Sequence, residues 1–388
     1  MPNTKIKKLK ILMVVGYYYP YISGLSEYVK RLSEGLAKKG HEVVVLTSQH
    51  EKSLCKKETI NGVNVVRCPY MFKFGKGLVM PFFASSACKL SKNCDITNIH
   101  LPLFEAGLIN SISKNTITTY HCDLSLDAGF LSKLIEKLYY ISAGSCLKNT
   151  GTIVTYTEDY AKHSRLLKNY LKKCDYVFPP IDENHFNKVD TSDFKKKYNI
   201  AGTKIIGFAG RFVHEKGIPW LLKSIPYVVK KYPDAKFVFA GEYKNIAGGS
   251  ILSQLDEMIA KYRKNIMLLG NVSYEDLPKF YSCCDVLALP SIDPLEAFGI
   301  VQVESMYCKT PVVASNLPGV RVPIQKTGMG LLTEPKNEKG LAENIMKILS
   351  NKNKYTKDKR KLVAIFGIKK TIDFYEKLYN KRKNIRNI

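Results

Sequence analysis

Residues 10–47 read KILMVVGYYYPYISGLSEYVKRLSEGLAKKGHEVVVLT. Lys10 to Gly16 is a short apolar run with the length and branching of a strand buried on both faces. Glu27 to Lys39 places Tyr28, Val29, Leu32 and Leu36 at helical spacing, and Gly40 ends the pattern. His41 to Thr47 is a second buried strand. Strand, helix and strand in this order form one βαβ unit, which requires parallel strands.

Outward from that unit the alternation continues. Ile60-Asn61-Gly62-Val63 carries the signal of a tight hairpin. Strands are predicted near Asp95–Ile99, Thr116–Tyr120 and Thr152–Tyr156, with helices between them. A second series follows a polar stretch: a strand over Lys204–Ala209, a helix over Gly217–Lys231 and a strand over Ala235–Ala240. Ile266–Leu269, Val286–Leu289 and Thr310–Ala314 are further strands. The fold class is therefore α/β, with two doubly wound parallel-sheet domains. The expected divisions are residues 1–183, residues 184–365, and a C-terminal helix in 366–388 returning to the first domain. Ligands of such sheets bind outside the carboxyl ends of the strands, so two sheets facing a central cleft would put both sets of loops on one substrate.

Composition narrows the function. At 388 residues the chain is long enough for two cores. No run of 18 apolar residues occurs, and the basic start MPNTKIKKLK leads into an apolar stretch too short for a signal peptide. The ten cysteines show no CxxC pair, so reduced thiols and a cytoplasmic setting are expected. The net charge of +26 calls for anionic partners: phosphorylated small molecules, nucleic acid or an anionic membrane.

Two segments carry chemistry. In Leu289-Pro290-Ser291-Ile292-Asp293-Pro294-Leu295-Glu296-Ala297-Phe298-Gly299-Ile300-Val301-Gln302-Val303-Glu304 a strand ends at Pro290, and a helix is expected from Phe298 or Gly299. Free amides of Gly299, Ile300 and Val301 would bind an anion at the positive end of the helix dipole. Glu296 and Glu304 each offer a carboxylate able to accept from vicinal hydroxyls. Spacing alone also allows a helix-terminal Glu296 and a solvated Glu304. The second segment, Gly207-Phe208-Ala209-Gly210-Arg211 followed by Glu215-Lys216-Gly217, puts two cations at a strand end. Diphosphate binding by Arg211 and Lys216 competes there with plain surface salt bridging. The first strand has no GxGxxG after it, which argues against a dinucleotide oxidoreductase. Gly24 before the first helix is a weaker phosphate signal.

These segments resemble the retaining glycosyltransferases of family 4, a group with the GT-B fold of two Rossmann-like domains. Glu296 and Glu304 match the family's E-x7-E motif, and Gly210, Arg211, Lys216 and Gly217 match G-R-x-x-x-x-K-G. Ser23-Gly24 stands where the family has Gly-Gly, and Gly40-His41-Glu42-Val43 matches G-H-E-V. His121, Pro179-Pro180-Ile181-Asp182 and Thr310-Pro311-Val312-Val313-Ala314 match further segments in the same order. The resemblance implies sugar transfer, with retention, from a UDP- or GDP-sugar to a glycolipid or surface polysaccharide. It implies that Arg211 and Lys216 neutralise the leaving diphosphate, that Glu296 holds the transferred sugar and that Glu304 holds the ribose. It places the donor against Phe298, Gly299, Ile300 and Val301, with Gly24 closing on the diphosphate and His121 near the transferred sugar and the acceptor. No enzymatic nucleophile is implied, because the departing phosphate serves as base.

Ser23 departs from the family's glycine pair, and Pro318-Gly319-Val320-Arg321-Val322 lacks a glutamate common in relatives. No Asp-x-Asp pair occurs, so no metal and no cofactor are expected. A nucleotide-sugar epimerase or a phosphorylase on the same scaffold is the alternative enzyme. A nucleic-acid binder would also explain +26, but no such motif occurs, and nucleic acid is not an expected partner. Lysines interleave with bulky apolar residues in Met71–Phe83. Phe130–Lys148 reads as a helix with Leu131, Leu134, Ile135 and Leu138 on one side and Lys133 and Lys137 on another. Both suggest docking on the inner face of an anionic membrane, against the plainer reading that the helix packs its apolar stripe on the sheet.

Overall fold

The computed structural model describes residues 8–74, 77–126, 129–201, 204–243 and 252–385. They divide into two compact units, one from residues up to 180 together with those from 368 onward, the other from residues between 181 and 367. The changeovers fall at Pro180/Ile181 and Gly367/Ile368, against 183/184 and 365/366 in the sequence reading.

The strands in chain order are β1 (Lys10–Val14), β2 (Glu42–Ser48), β3 (Lys57–Ile60), β4 (Val63–Cys68), β5 (Phe72–Phe74), β6 (Gly77–Val79), β7 (Ile96–Leu101), β8 (Thr116–Tyr120), β9 (Ile153–Thr155) and β10 (Cys174–Tyr176) in the first unit. The second unit holds β11 (Ile205–Ala209), β12 (Lys236–Ala240), β13 (Ile266–Gly270), β14 (Val286–Leu289), β15 (Val312–Ser315) and β16 (Gly330–Thr333). The first sheet runs β10-β9-β8-β7-β1-β2-β4-β3, and the second runs β13-β12-β11-β14-β15-β16. Every pairing is parallel except β3 with β4, the hairpin turned by Asn61-Gly62, and the separate β5–β6 ribbon. Strand order reverses beside β1 in one unit and beside β11 in the other, and such switch points are where doubly wound sheets open a ligand crevice.

β7, β11 and β14 are buried along their whole length and β1 in all but Lys10, and the apolar runs of β1, β11 and β14 require this. Three short elements escaped the sequence reading: β10, β16 and the β5–β6 ribbon inside the stretch expected to be an interfacial loop. Lys76 of that stretch lies outside the described residues.

The last helix, Ile368–Ile385, belongs to the first unit. It enters against the Gly24–Lys38 helix at Gly35, where a Cβ would stand 2.2 Å from Ile372 Cδ1. Lys39 Nζ lies 2.5 Å from both Asp373 and Glu376, and His41 Nε2 lies 2.9 Å from Glu376. Although burial opposes its charge, hydrogen bonds from Lys39 and His41 hold the Glu376 carboxyl below the usual range.

Candidate active site

In the second unit the two segments singled out by sequence meet at the switch point. Arg211 and Lys216 follow β11, and Glu296 follows β14, its neighbour in the sheet. The two loops are fastened by three independent features. The Ile292 amide donates to the Glu215 carbonyl at 3.0 Å. Lys216 Nζ is hydrogen-bonded to Glu296 Oε2, with both side chains about four-fifths buried. Gly217, at φ +67°, packs so tightly that a Cβ would stand 1.9 Å from the Pro290 carbonyl oxygen, so any side chain would wedge the loops apart.

Glu296 is aimed by its own loop. Asp293 Oδ1 accepts from the Leu295 amide at 2.8 Å, and the Asp293 carbonyl accepts from the Glu296 amide at 3.1 Å. Asp293 is thus a positioning residue that the sequence reading passed over, although Asp-Pro is a turn signal. Arg211 is half-buried and has no acidic partner among the described residues. Lys216 is therefore paired, in a largely buried salt bridge, while Arg211 is not salt-bridged among the described residues.

The helix after Glu296 starts one or two residues later than expected, over Ile300–Tyr307, with Gly299 as its cap at φ +75°. A Cβ on Gly299 would stand 2.5 Å from Leu289 Cδ2. The side chain of Phe298 is buried and its ring faces that of Phe366 at 6.1 Å, so only its backbone is left for a ligand. Ile300 and Val301 remain half-exposed. Glu304 is not solvated: it is 5% exposed, and Tyr281 donates its hydroxyl to Oε2 at 3.0 Å.

In the first unit Gly24 opens the Gly24–Lys38 helix and is exposed. The serine before it has a structural task. Ser23 Oγ accepts from the Ser26 amide at 3.1 Å, while the Ser23 amide donates to Ser26 Oγ at 2.8 Å, a reciprocal cap that glycine could not make.

His121 follows β8, one strand from the switch point, but its ring is only 3% exposed and both nitrogens are engaged. Nε2 lies 3.0 Å from His100 Nδ1, and Nδ1 lies 2.5 Å from the Tyr156 hydroxyl. His100 Nε2 in turn faces Met13 Sδ at 3.5 Å. A thioether only accepts, so the consistent set is His100 Nε2–H to sulfur, His121 Nε2–H to His100, and Tyr156 O–H to His121. Burial pushes the His100 imidazole down to about 3. Burial, and then neighbouring His100, hold His121 well below its ordinary value, so both rings are neutral. The Tyr28 ring meets His121 edge-on at 4.8 Å, and the Tyr28 hydroxyl lies 2.9 Å from that of Tyr375 on the last helix. Sequence reasoning found His121 and missed His100, Tyr156, Tyr28 and Tyr375.

The surface of the first unit bears on the two readings of Phe130–Lys148. The helix over Phe130–Asn149 buries Tyr139, Ala143, Cys146 and Leu147, whereas Phe130, Leu131, Leu134, Leu138 and Ile141 are exposed, Phe130 at 88%. The apolar stripe does not pack on the sheet. Lys133 and Lys137 are exposed beside it.

Residues 22–185 match the family model Glycosyltransferase Family 4, and residues 190–362 match Glycosyl transferases group 1. The chain belongs to this glycosyltransferase family. An uncharacterised glycosyltransferase of Methanocaldococcus jannaschii is 27% identical over 372 residues, covering 88% of this chain and 90% of the relative. A human phosphatidylinositol N-acetylglucosaminyltransferase chain is 25% identical over 354 residues, covering 87% of this chain and 68% of the relative. Among solved structures, Anabaena HepE in complex with UDP-glucose superposes with a TM-score of 0.77 at 16% identity, over 96% of this chain and all of that one. The fold of this glycosyltransferase is therefore GT-B. Among the described residues no helix is long and apolar enough to cross a membrane.

Proposed function

We propose that this glycosyltransferase transfers a hexose, with retention, from a UDP- or GDP-sugar to a lipid-linked acceptor or a growing surface polysaccharide, while docked on the inner face of an anionic membrane. The observation that carries the reading is the fastening of Lys216 to Glu296 at the switch point, beside a half-buried Arg211 with no acidic partner among the described residues. A diphosphate arriving at Arg211 and Lys216 would compete for Lys216 and free Glu296 to accept from hydroxyls of the transferred sugar. Glu304, steadied by Tyr281, would take the ribose, and the Gly299 to Val301 amides the remaining oxygens. The bond from the anomeric carbon to the diphosphate oxygen breaks as the acceptor oxygen bonds on the same face, and the acceptor proton passes to the departing phosphate. Cations and helix amides stabilise the charge growing on that leaving group.

The acceptor role falls to the first unit. The human relative is named for phosphatidylinositol, and the HepE complex holds UDP-glucose, which supports a lipid-linked acceptor and a nucleotide-sugar donor respectively. The exposed stripe of the Phe130–Asn149 helix with its flanking lysines supports a peripheral membrane location. A thermal-shift panel of nucleoside diphosphates and nucleotide-sugars tests the donor half. A binder at 100 times its Kd stabilises the native state by about 2.7 kcal/mol. No shift from any UDP or GDP compound would overturn the donor assignment. Donor consumption without an acceptor would favour an epimerase instead.

A further inference from the structure

A second surface feature of the first unit is not used by the sugar-transfer reading. The helix over Phe83–Ser91 and the helix over Ala106–Ile112 lie side by side, leaving an open groove of about 640 Å3. Pro81, Ala84, Leu108 and Ile112 make its floor and walls apolar, and Leu108 is 57% exposed. Lys89 and Lys92 stand along one wall, exposed and without an acidic partner among the described residues. One wall of the groove, the Ala106–Ile112 helix, packs on the helix that carries the apolar stripe. Gly107 packs on Ser142 of the Phe130–Asn149 helix, its amide donating to Ser142 Oγ at 3.1 Å, and exposed Phe104 precedes it.

We infer that this groove holds one acyl chain of an anionic phospholipid, with the lipid phosphate on Lys89 and Lys92. The lipid is a fixed membrane ligand rather than the acceptor. Apolar walls alone would accept any greasy segment; the two cations beside them select an occupant with a chain and an anion on one molecule. A flat stripe binds a bilayer surface reversibly, and a seated chain adds buried CH2 groups, so the groove would turn loose contact into an oriented one. The inference rests on the membrane reading above, and its test separates the two.

The experiment uses phosphatidylcholine vesicles with phosphatidylglycerol, a small part of it carrying a diazirine in one acyl chain. Co-sedimentation reports docking, and photolabelled peptides report the groove. The expected result is co-sedimentation with label in 81–92 and 108–112. Ala84→Trp, which fills the groove, should remove that label while sedimentation persists. Lys89→Glu with Lys92→Glu should cut labelling about fivefold, the equivalent of roughly 1 kcal/mol. Sedimentation with label confined to 130–141, or label in the groove unchanged by Ala84→Trp, would overturn the groove and leave docking intact. Equal labelling from a photoactivatable phosphatidylcholine would overturn the phosphate site. A lipid-free dimer shielding Cys88 from maleimide would show that the groove takes a second copy. Failure to sediment with any vesicle would overturn both readings.

Discussion

The two groups of loop residues that the sequence marked for chemistry are built in opposite ways. After β11 and β14, Lys216 and Glu296 hold each other in a half-open site whose cations are short of acidic partners: among the described residues Arg211 has none and Lys216 has one. After β8, His121 sits in a closed chain with His100, Tyr156 and Met13 in which each ring nitrogen is used and both imidazoles are neutral. An incoming diphosphate can exchange with Glu296 at Lys216, because it offers the cation another anionic acceptor in place of the carboxylate. It cannot displace a buried neutral chain without leaving an unpaired polar group, at about 1–3 kcal/mol. The first arrangement is suited to exchange partners with a substrate, the second to hold a shape.

The largest effects should therefore come from the second unit and appear in rate, not in stability. Glu296→Gln keeps the loop but loses a charge-assisted acceptor, and kcat should fall about 30-fold, the equivalent of roughly 2 kcal/mol. The melting temperature should hardly move. Near wild-type turnover would break the comparison at its stronger end. Arg211→Ala and Lys216→Ala should each weaken nucleoside-diphosphate binding about tenfold, or roughly 1.4 kcal/mol. The double variant should lose less than the product, since both face one diphosphate. Unchanged affinity in both single variants, measured by calorimetry, would make them structural.

The same contrast explains what could be read from the chain beforehand. The βαβ alternation was legible because buried parallel strands write themselves as apolar runs, and β1, β2, β8, β11 and β14 were found within a residue or two. β16 and β10 were not: Gly330-Leu331-Leu332-Thr333 and Cys174-Asp175-Tyr176 are too short and mixed to stand out. In the second unit the residues at issue lie in two continuous segments, so motif spacing found them. The network around His121 draws Met13, Tyr28, His100 and Tyr375 from four separate elements and Tyr156 from the loop after β9, and no local pattern joins residues 13 and 375. The reading of Phe130–Lys148 found the helix but not its orientation, because periodicity gives a stripe and not the direction it faces.

His121→Phe should reverse the profile of Glu296→Gln. It leaves the Tyr156 hydroxyl and His100 Nδ1 without a partner, so stability should drop by about 1–3 kcal/mol, while affinity for a nucleoside diphosphate stays unchanged. Lost donor affinity with an intact melting temperature would put His121 in the substrate site instead. Acid should act on the same network. His100 and His121 are neutral when folded but bind protons near pH 6.5 when unfolded. The unfolded chain therefore takes up more protons below that pH, and stability, complete above it, is lost as pH falls. Each histidine contributes about 1.4 kcal/mol per pH unit. His100→Gln should flatten the fall between pH 6.5 and 5, a window above that in which Glu376 and Asp373, both held low by their lysine partners, would titrate.

The smallest expected effect is that of a chelator. If Arg211 and Lys216 supply the positive charge for the departing diphosphate, transfer should proceed in EDTA at a rate within about twofold of the untreated enzyme, a difference of roughly 0.4 kcal/mol in barrier. A metal bridge from protein to diphosphate needs a carboxylate facing the phosphates. The carboxylate fastened at this switch point, Glu296, is held by Lys216 in the free enzyme and, in the proposed reading, by hydroxyls of the transferred sugar once the diphosphate has taken Lys216. Among the described residues no three His, Cys, Asp or Glu side chains gather as a ligand set. The decisive comparison pairs the chelator with Lys216→Ala. That variant frees Glu296 and removes one cation, so added Mg2+ should restore part of its rate while leaving the wild type unchanged. Complete loss of wild-type transfer in EDTA, regained with Mg2+ or Mn2+, would show that the two cations are not sufficient and would assign the leaving-group charge to a metal.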